Sequence, residues 1–294
     1  MRVLRIILVL IFGLIIPFAT SAKDKTLEMV ILGENDTYSG ANDGEDNIIV
    51  SVWNMILAKS QKPKAKSQKP KAKSQTQLII DYQQVSMSRS WSELIRLDNA
   101  CVMNKLITAD RLAIAEYSHY PLSVFPPVRL ITLASNKSRF TSPFSFQQLE
   151  NNPDLKLGVV KSRTYGVELD NQIVKHAAQV FTRGGVDSSD KLVDMLLVGR
   201  VDGILEYTLS VEDYLQDEGL DDKIIALPIE NNAALMIGYM ACSKTTKGLA
   251  IIDVIDSSYA TSGFSQQYIE MHLNHFGQVE AEILKPKLES LFAN

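Results

Sequence analysis

The feature of this 294-residue chain that most constrains its fold is an alternation of strand-like and helix-like segments. Short apolar runs, which are typical of buried strands, occur at residues 27–32, 77–82 and 101–103, and helical patterns separate them. A strand–helix–strand–helix–strand order requires a parallel sheet with right-handed crossovers. The sequence therefore predicts an α/β fold, and its length allows one large domain or two medium ones.

The helices between these strands can be placed from their start signals and their apolar spacing. Acidic residues at 43–46 suit the positive end of a helix dipole. The helix that follows has one apolar face, formed by Ile49, Val52, Trp53 and Ile56. The motif Ser90-x-x-Glu93 is a capping box, which predicts the start of the second helix.

A second set of strands and helices begins near residue 155. Its first strand, at 155–160, leads into a helix on which Ile173, Ala177 and Phe181 align on one face. A helix and three strands are predicted next, at 188–199, 201–207, 224–229 and 236–242. Helical patterns then continue to the end of the sequence, so the chain contains two α/β sets.

Residues 1–22 have the features of an export signal rather than of a folded segment. Arg2 and Arg5 precede an apolar run at 6–18, and small residues at 20–22 form a cleavage site. The apolar run is short for a membrane span, and no cysteine follows it to accept a lipid. We expect signal cleavage, a periplasmic location and a mature protein that is not embedded in the membrane.

The mature chain combines an acidic body with one basic segment. Without the export signal, 28 basic residues stand against 34 acidic ones, a net charge of −6, and seven lysines lie within 59–73. The heptapeptide SQKPKAK occurs there twice in succession, and its prolines argue against a coiled coil. We interpret 59–75 as a solvated loop inserted into the fold, with docking on an anionic surface as the alternative. An extended nucleic-acid surface is not expected.

Polar residues that follow the apolar run at 101–103 are the first candidate binding groups. Asn104 comes directly after the run, and Thr108 and Arg111 lie three residues apart. Ligands of open α/β sheets contact the carboxyl ends of strands. The planar guanidinium of Arg also fits a carboxylate with two parallel hydrogen bonds. The pattern indicates a carboxylate contact, whereas an exposed Arg paired with a nearby acid is the alternative.

Two segments of the second α/β set also place polar groups at strand ends. The small-residue turn at 161–166 opens a helix, and free backbone N–H groups at such a turn favour an anion. The GRVD motif at 199–202 joins a helix to a strand that ends near Glu206 and Tyr207. Both segments are therefore candidates for ligand contacts.

Three motifs occur in order along the chain: Thr108-x-x-Arg111, the YSHYPL element at 117–122, and GRVD at 199–202. Together they resemble the type 2 periplasmic solute-binding proteins of family 3. This resemblance implies a two-lobed α/β fold of the periplasmic-binding-protein type 2, with a two-strand hinge. It also implies a monomer that captures a small, amino-acid-like and carboxylate-bearing solute for the membrane subunits of an ABC importer.

The resemblance divides the mature chain into two lobes, 23–132 plus 232–294 and 133–231, with the ligand between them. The residues that it implies as ligand contacts are Arg111, Thr108, Asn104, Tyr38, Ser162, Arg163, Thr164, Glu206 and Tyr207. In amino-acid binders of this family an Asp at the end of the 201–207 strand holds the substrate ammonium. Here Tyr207 takes that position beside Glu206, so the ammonium anchor and the identity of the ligand stay open.

The two cysteines of the chain, Cys101 and Cys242, both lie in apolar, strand-like segments. In an oxidising compartment two such cysteines can form a disulfide, and two buried free thiols are the alternative. The resemblance places both residues in one lobe near the hinge, which favours a disulfide between them.

The sequence favours a binding protein over an enzyme. It contains no nucleophile elbow, phosphate-binding loop or dinucleotide motif, and no metal or cofactor is expected. We interpret His272 and His275 as surface residues of a terminal helix. Some proteins of the resembled fold are lyases or dehydratases, and Glu206 or Glu168 would be the candidate acid or base. A periplasmic ligand-sensing module is the other alternative.

Overall fold

The computed structural model describes most of the chain: residues 25–34, 47–60, 76–217 and 223–293. Within these residues the chain forms two sheets with helices packed against them. We call the unit around the first sheet the first lobe and the unit around the second sheet the second lobe. The export signal, Tyr38 and the 61–75 part of the predicted loop lie outside the described residues.

The first lobe is built on a six-stranded sheet: β1 (Lys25–Gly33), β2 (Thr76–Gln84), β3 (Ala100–Lys105), β4 (Ala115–Tyr117), β5 (Ser123–Phe125) and β11 (Met236–Ser243). The strand order is β2–β1–β3–β11–β4, and β5 also pairs with β11. β1 is parallel to both β2 and β3, as the strand–helix alternation predicts. β11 is antiparallel to its three partners.

The helices of the first lobe are α1 (Ile48–Ser60), α2 (Met87–Arg96), α3 (Ala109–Ile114), α8 (Thr246–Tyr259), α9 (Phe264–His275) and α10 (Gln278–Ser290). Asn47 starts α1, because its Oδ1 accepts hydrogen bonds from the N–H groups of Ile49 and Val50 at 3.0 and 3.3 Å. The predicted apolar face of α1 is confirmed and fully buried, with Trp53 1% exposed. No helix in the described part of the chain has the length and apolar character needed to cross a membrane.

The predicted capping box at the start of α2 is wrong. α2 begins at Met87, and Ser90 lies inside its first turn, where its Oγ donates to the Met87 carbonyl at 2.8 Å. The helix start is set from another element, since the carboxylate of Glu34, just after β1, accepts a hydrogen bond from the Met87 N–H at 3.2 Å. A contact between residues 53 positions apart is invisible to a local motif.

The second lobe is built on a five-stranded sheet: β6 (Arg129–Leu133), β7 (Leu157–Val160), β8 (Val180–Arg183), β9 (Gly203–Glu206) and β10 (Ile224–Leu227). The order is β10–β6–β9–β7–β8, with β7 parallel to both β8 and β9. Its helices are α4 (Gln147–Asn151), α5 (Val167–Lys175), α6 (Ser188–Leu197) and α7 (Thr208–Asp217). Gly199 ends α6 as predicted, with φ of +69°.

α5 is shorter than its apolar spacing predicts, and the strand β8 that follows it was not predicted. α5 ends at Lys175, and Phe181 lies in β8, where its side chain is 45% exposed. The backbone of 180–183 pairs with the whole of β7 instead of continuing the helix. Ladder hydrogen bonds to β7 therefore outweigh the helical spacing of the apolar side chains.

Two segments connect the lobes and form the hinge. The chain leaves the first sheet after β5 and returns to it before β11, so the connections are 126–128 and 228–235. The Nδ2 group of Asn232 donates to the Val128 carbonyl at 2.6 Å and joins the two connections. The lobe boundaries that the resemblance implies, after residues 132 and 231, stay a prediction.

The two cysteines face each other across β3 and β11. Cys101 and Cys242 are directly opposite in the antiparallel pairing, with Cα atoms 4.0 Å apart, and the structure joins them in a disulfide. Both are fully buried, so the bond lies in the interior of the first lobe. It connects the strand that leads to Asn104 and Lys105 with the strand that returns from the hinge.

His272 is a core residue, so its interpretation as a surface residue is wrong. Its side chain is fully buried. The ring Nε2 accepts a hydrogen bond from the Val124 N–H at 3.2 Å, and Nδ1 lies 2.8 Å from the Tyr268 carbonyl. Burial lowers the pKa of His272 to about 4, which keeps the ring neutral at pH 7.

Candidate cleft between the lobes

A cleft of about 510 Å³ lies between the lobes, and both lobes contribute to its wall. The polar groups that line it stand at or just beyond the ends of strands: Glu34 after β1, Lys105 at the end of β3, Arg163 after β7, and Glu206 at the end of β9. These are the carboxyl ends of strands, where open α/β sheets bind their ligands. The volume is in the usual range for small-molecule sites.

Arg111 occupies the first-lobe side of the cleft at the start of α3. Its backbone N–H donates to Thr108 Oγ1 at 3.3 Å, so Thr108 caps the helix that presents Arg111. The guanidinium stacks on Trp91, with Cζ 4.5 Å from the ring centroid. Burial lowers the pKa of Arg111, and the group stays charged at any physiological pH.

The guanidinium of Arg111 also connects the lobes. Nη1 donates to the Leu106 carbonyl at 3.2 Å, and Nη2 donates across the cleft to the Ser162 carbonyl at 3.0 Å. Ser162 has a positive φ of 64°, which turns its backbone toward the first lobe. Arg111 is therefore placed where it can contact both lobes and a solute between them.

On the second-lobe side, Arg163 and Glu206 form a buried ion pair. Arg163 Nη1 lies 2.6 Å from Glu206 Oε2, and Nη2 donates to Ser189 Oγ at 2.9 Å. The other oxygen of Glu206, which is 2% exposed, accepts from the Tyr207 N–H at 3.0 Å. Burial alone would lower the pKa of Arg163, but the carboxylate of Glu206 raises it above its usual value. The two charges thus neutralise each other within the lobe.

Some of the hydrogen-bond donors of the turn at 161–166 are bonded to a side chain of the protein itself. The Tyr165 N–H donates to Asp170 Oδ1 at 2.8 Å, and the Thr164 hydroxyl donates to Asp170 Oδ2. The Arg163 N–H is bonded to the Val160 carbonyl at 3.3 Å. Asp170 therefore takes donors that the sequence analysis assigned to an external anion, although Thr164 still lines the cleft.

Asn104 lies at the base of the cleft in a strained conformation. Its φ is +56°, and its Oδ1 accepts a hydrogen bond from Ser123 Oγ at 2.6 Å. A Cβ atom on Gly238, on the neighbouring strand, would lie only 1.6 Å from that oxygen. The glycine therefore makes room for the Asn104 side chain, which holds this part of β3 against β11 and β5.

Charged residues that the sequence analysis did not select also line the cleft: Lys105, Glu34, Asp187 and Asp190. Burial raises the pKa of Glu34 and of Asp190, and the charge of Asp187 adds to both shifts. For Lys105, burial together with the positive charges of Arg111 and Arg163 lowers the pKa to about 7. Lys105 directly follows Asn104, so its position at a strand end was a usable signal.

The structure brings most of the predicted contact residues to one cleft. Asn104, Arg111, Arg163, Thr164, Glu206 and Tyr207 all line it. Thr108 acts through its cap on α3 and does not belong to the wall, and Ser162 contributes its carbonyl to Arg111. The Tyr207 ring packs on Phe125 of the first lobe, with centroids 5.1 Å apart. Ligand contact by these residues stays a prediction.

Solved structures with the same architecture are similar to this chain over most of its length. The arginine-, lysine-, histidine-binding protein ArtJ from Geobacillus stearothermophilus has a TM-score of 0.60 at 14% identity, covering 90% of this chain and 100% of that chain. A putative L-cystine ABC transporter protein from Listeria monocytogenes has a TM-score of 0.60 at 13% identity, covering 88% and 99%. A histidine kinase sensor domain with similarity to periplasmic binding proteins has a TM-score of 0.59 at 10% identity, covering 85% and 96%.

These likenesses establish the fold. The predicted two-lobed α/β fold of the periplasmic-binding-protein type 2 is confirmed by the two sheets, the two connections and these similar structures. No protein-family model matches the sequence, and no curated protein sequence matches it. The function therefore has to be argued from the cleft.

Proposed function

We propose that this protein is a periplasmic solute-binding protein that captures a small, amino-acid-like and carboxylate-bearing solute between its lobes. In this proposal it is a monomer that delivers the solute to the membrane subunits of an ABC importer. One of the similar structures is named as an arginine-, lysine-, histidine-binding protein and another as a putative L-cystine ABC transporter. The observation that supports the proposal most strongly is the position of Arg111.

Arg111 suits a carboxylate clamp for three physical reasons. Stacking on Trp91 restricts the plane of the guanidinium, and Arg111 lines the cleft. Its hydrogen bonds go to two neutral carbonyls, so its charge has no carboxylate partner within ion-pair distance in the described residues. Its bond to Ser162 reaches the second lobe, so a solute at this point would favour the closed arrangement of the lobes.

The lyase or dehydratase alternative lacks a suitable acid or base among the predicted candidates. One oxygen of Glu206 is held by Arg163 at 2.6 Å and the other accepts from the Tyr207 N–H at 3.0 Å, so both are already engaged within the lobe. Glu168 is exposed on α5, where it accepts from Gln172, and it does not line the cleft. A binding role needs neither residue as a proton carrier. Incubating a bound solute with the protein and recording its NMR spectrum should return the solute unchanged, and chemical conversion would favour the enzyme.

A ligand-sensing module is the second candidate, and the likeness to a histidine kinase sensor domain favours it. Transport and sensing use the same cleft and differ in the partner that recognises the closed lobes. Affinity capture from membranes with solute-loaded protein as bait separates them. Importer subunits support the proposed function, whereas a membrane kinase or receptor supports the sensor.

The first experiment is a thermal-shift screen of amino acids, organic acids and small peptides on the wild-type protein. A ligand that binds only the folded state at 100 times its Kd stabilises it by about 2.7 kcal/mol. We expect carboxylate solutes to raise the melting temperature and their carboxamide or decarboxylated analogues to have no effect. Stabilisation by solutes without a carboxylate, and by no carboxylate, would contradict the proposal.

A further inference from the structure

Lys105 is a cation in the cleft without a partner in the described residues. It is the last residue of β3, and its side chain is partly buried in the wall of the cleft. None of the ion pairs or side-chain hydrogen bonds among the described residues involves its ammonium group. Placing an ammonium away from bulk water without a partner is costly. A lysine on the solvated surface does not lose its hydration in this way. The partly buried position of Lys105 therefore calls for a functional explanation.

The other two cations of the cleft differ from Lys105 in how their charge is balanced. Arg163 is neutralised by Glu206, so it offers no net charge to a solute. Arg111 donates to two carbonyls but has no carboxylate at ion-pair distance among the described residues. Arg111 and Lys105 of the first lobe therefore face the same cavity with no carboxylate at ion-pair distance among the described residues, and Lys105 becomes a cation when its amine binds a proton. One carboxylate can balance only one of them.

We propose that Lys105 is a specificity-determining residue that binds a second anionic group of the solute, so that the cleft selects small dicarboxylates, such as acidic amino acids, over their amides. This inference rests on the proposed solute-binding function. In this arrangement Arg111 holds one carboxylate and Lys105 holds the other. Asp187 and Asp190 line the second-lobe wall of the cleft, where their carboxylates would pair with an ammonium group of the same solute.

The groups around Lys105 make the binding of a carboxylate to its side chain sensitive to pH. The pKa of Lys105 is lowered by burial and by the positive charges of Arg111 and Arg163. Glu34, which follows β1, raises this pKa, and its effect is the smallest of the four. A second carboxylate beside Lys105 would raise its pKa again, so binding would draw a proton from the buffer. The affinity for a dicarboxylate should accordingly fall as the pH rises above about 7, while the affinity for its amide should stay flat.

The test uses isothermal titration of the full mature protein with three isosteric pairs: L-glutamate and L-glutamine, L-aspartate and L-asparagine, and succinate and succinamate. We expect at least tenfold tighter binding of the dicarboxylate in the preferred pair. At pH 7.5, titrations in phosphate and in Tris should reveal uptake of up to about 0.8 proton per solute. Lys105→Met should abolish both the preference and the proton uptake. Lys105→Arg should keep the preference and lose the proton uptake, because Arg is always charged.

Lys137→Met is the matched control, since Lys137 is exposed on the second lobe away from the cleft. Equal affinity for both members of every pair, or a preference that survives Lys105→Met, would overturn the role of Lys105 and leave the proposed function intact. Absence of binding by every carboxylate in these titrations and in the thermal-shift screen would overturn both. The melting temperature of each variant without solute shows whether it is folded.

Discussion

The two sides of the cleft use the same types of charged residue in opposite ways. On the second lobe, Arg163 forms an ion pair with Glu206 and a hydrogen bond to Ser189, so its charge is neutralised within the protein. On the first lobe, the guanidinium of Arg111 donates hydrogen bonds only to neutral carbonyls and stacks on Trp91. The ammonium of Lys105 forms no hydrogen bond or ion pair with another described residue. The comparison teaches that residue type alone does not identify a ligand contact, because the state of its charge in the fold decides what it can bind.

The lobes also differ in what holds the cleft residues in place. In the first lobe the Cys101–Cys242 disulfide joins β3 to β11 beneath the cleft, and both tryptophans of the chain, Trp53 and Trp91, lie in this lobe. In the second lobe the buried Arg163–Glu206 pair joins the turn after β7 to the end of β9. Tryptophan fluorescence therefore reports on the first lobe. This allows the effect of the disulfide to be measured separately from that of the Arg163–Glu206 ion pair.

The largest effect is expected from removing the disulfide. It closes a loop with a sequence separation of 141, for which the chain-entropy model gives about 5 kcal/mol of stability. Urea denaturation followed by tryptophan fluorescence should show a loss of this order in the Cys101→Ala/Cys242→Ala variant. Intact-mass measurement after alkylation gives an independent answer: two alkylated thiols in the unreduced exported protein would contradict the bond.

The next largest effect is expected from Glu206→Gln. Removing one partner of a buried ion pair leaves the other charge uncompensated and typically costs about 3–5 kcal/mol. The matched control is Glu150→Gln, because Glu150 pairs with Lys175 on the surface, where screening makes an ion pair weak. Circular dichroism during urea denaturation should show the loss for Glu206→Gln and little change for Glu150→Gln. Equal behaviour of the two variants would contradict a structural role for the buried pair.

A smaller effect is expected when the pH is lowered, and it should be confined to the first lobe. Folding lowers the pKa of His272 from 6.5 to about 4, so between these values the unfolded chain binds the extra proton. Stability should fall as the pH drops from about 6.5 to 4, by at most about 3 kcal/mol, and then level off. In the second lobe, Nε2 of His176 lies 3.4 Å from the Glu150 carboxylate.

Urea midpoints measured by tryptophan fluorescence between pH 7 and pH 4 test this prediction. His272→Gln should lower the stability at pH 7 but flatten its dependence on pH. His176→Gln is the control and should leave the slope unchanged. A slope that persists in His272→Gln would assign the acid sensitivity to another group.

The sequence predicted the fold well where local patterns agree with the pairing of strands. The parallel arrangement of β1, β2 and β3, the buried face of α1 and the stop at Gly199 all follow from spacing and turn chemistry. The start of α2 and the strand β8 did not, because Glu34 fixes the first and pairing with β7 fixes the second. Both depend on partners distant in the sequence.

The sequence indicated residues that line the cleft, but it did not indicate which of the charged residues pair with each other. Arg111 and the strand-end residues of the second lobe line one cleft, with Thr108 and Ser162 beside it, and their contact with a ligand stays a prediction. The pairing of Arg163 with Glu206 joins residues 43 positions apart. Lys105 was not selected from the sequence, although it stands at the same strand end as Asn104. Only the three-dimensional arrangement distinguishes the neutralised cation from the available one.

The central claim is that Arg111 grips the solute while Arg163 serves the fold, and the affinity of Arg111→Ala tests it most directly. Charge-assisted hydrogen bonds contribute roughly 1.5–3 kcal/mol each. Isothermal titration with a carboxylate solute from the thermal-shift screen should therefore show at least a tenfold loss of affinity. Arg89→Ala, which removes an exposed Arg of the same lobe, should bind as the wild type does. The melting temperature of solute-free Arg111→Ala should stay close to that of the wild type. Unchanged affinity in Arg111→Ala would contradict the account.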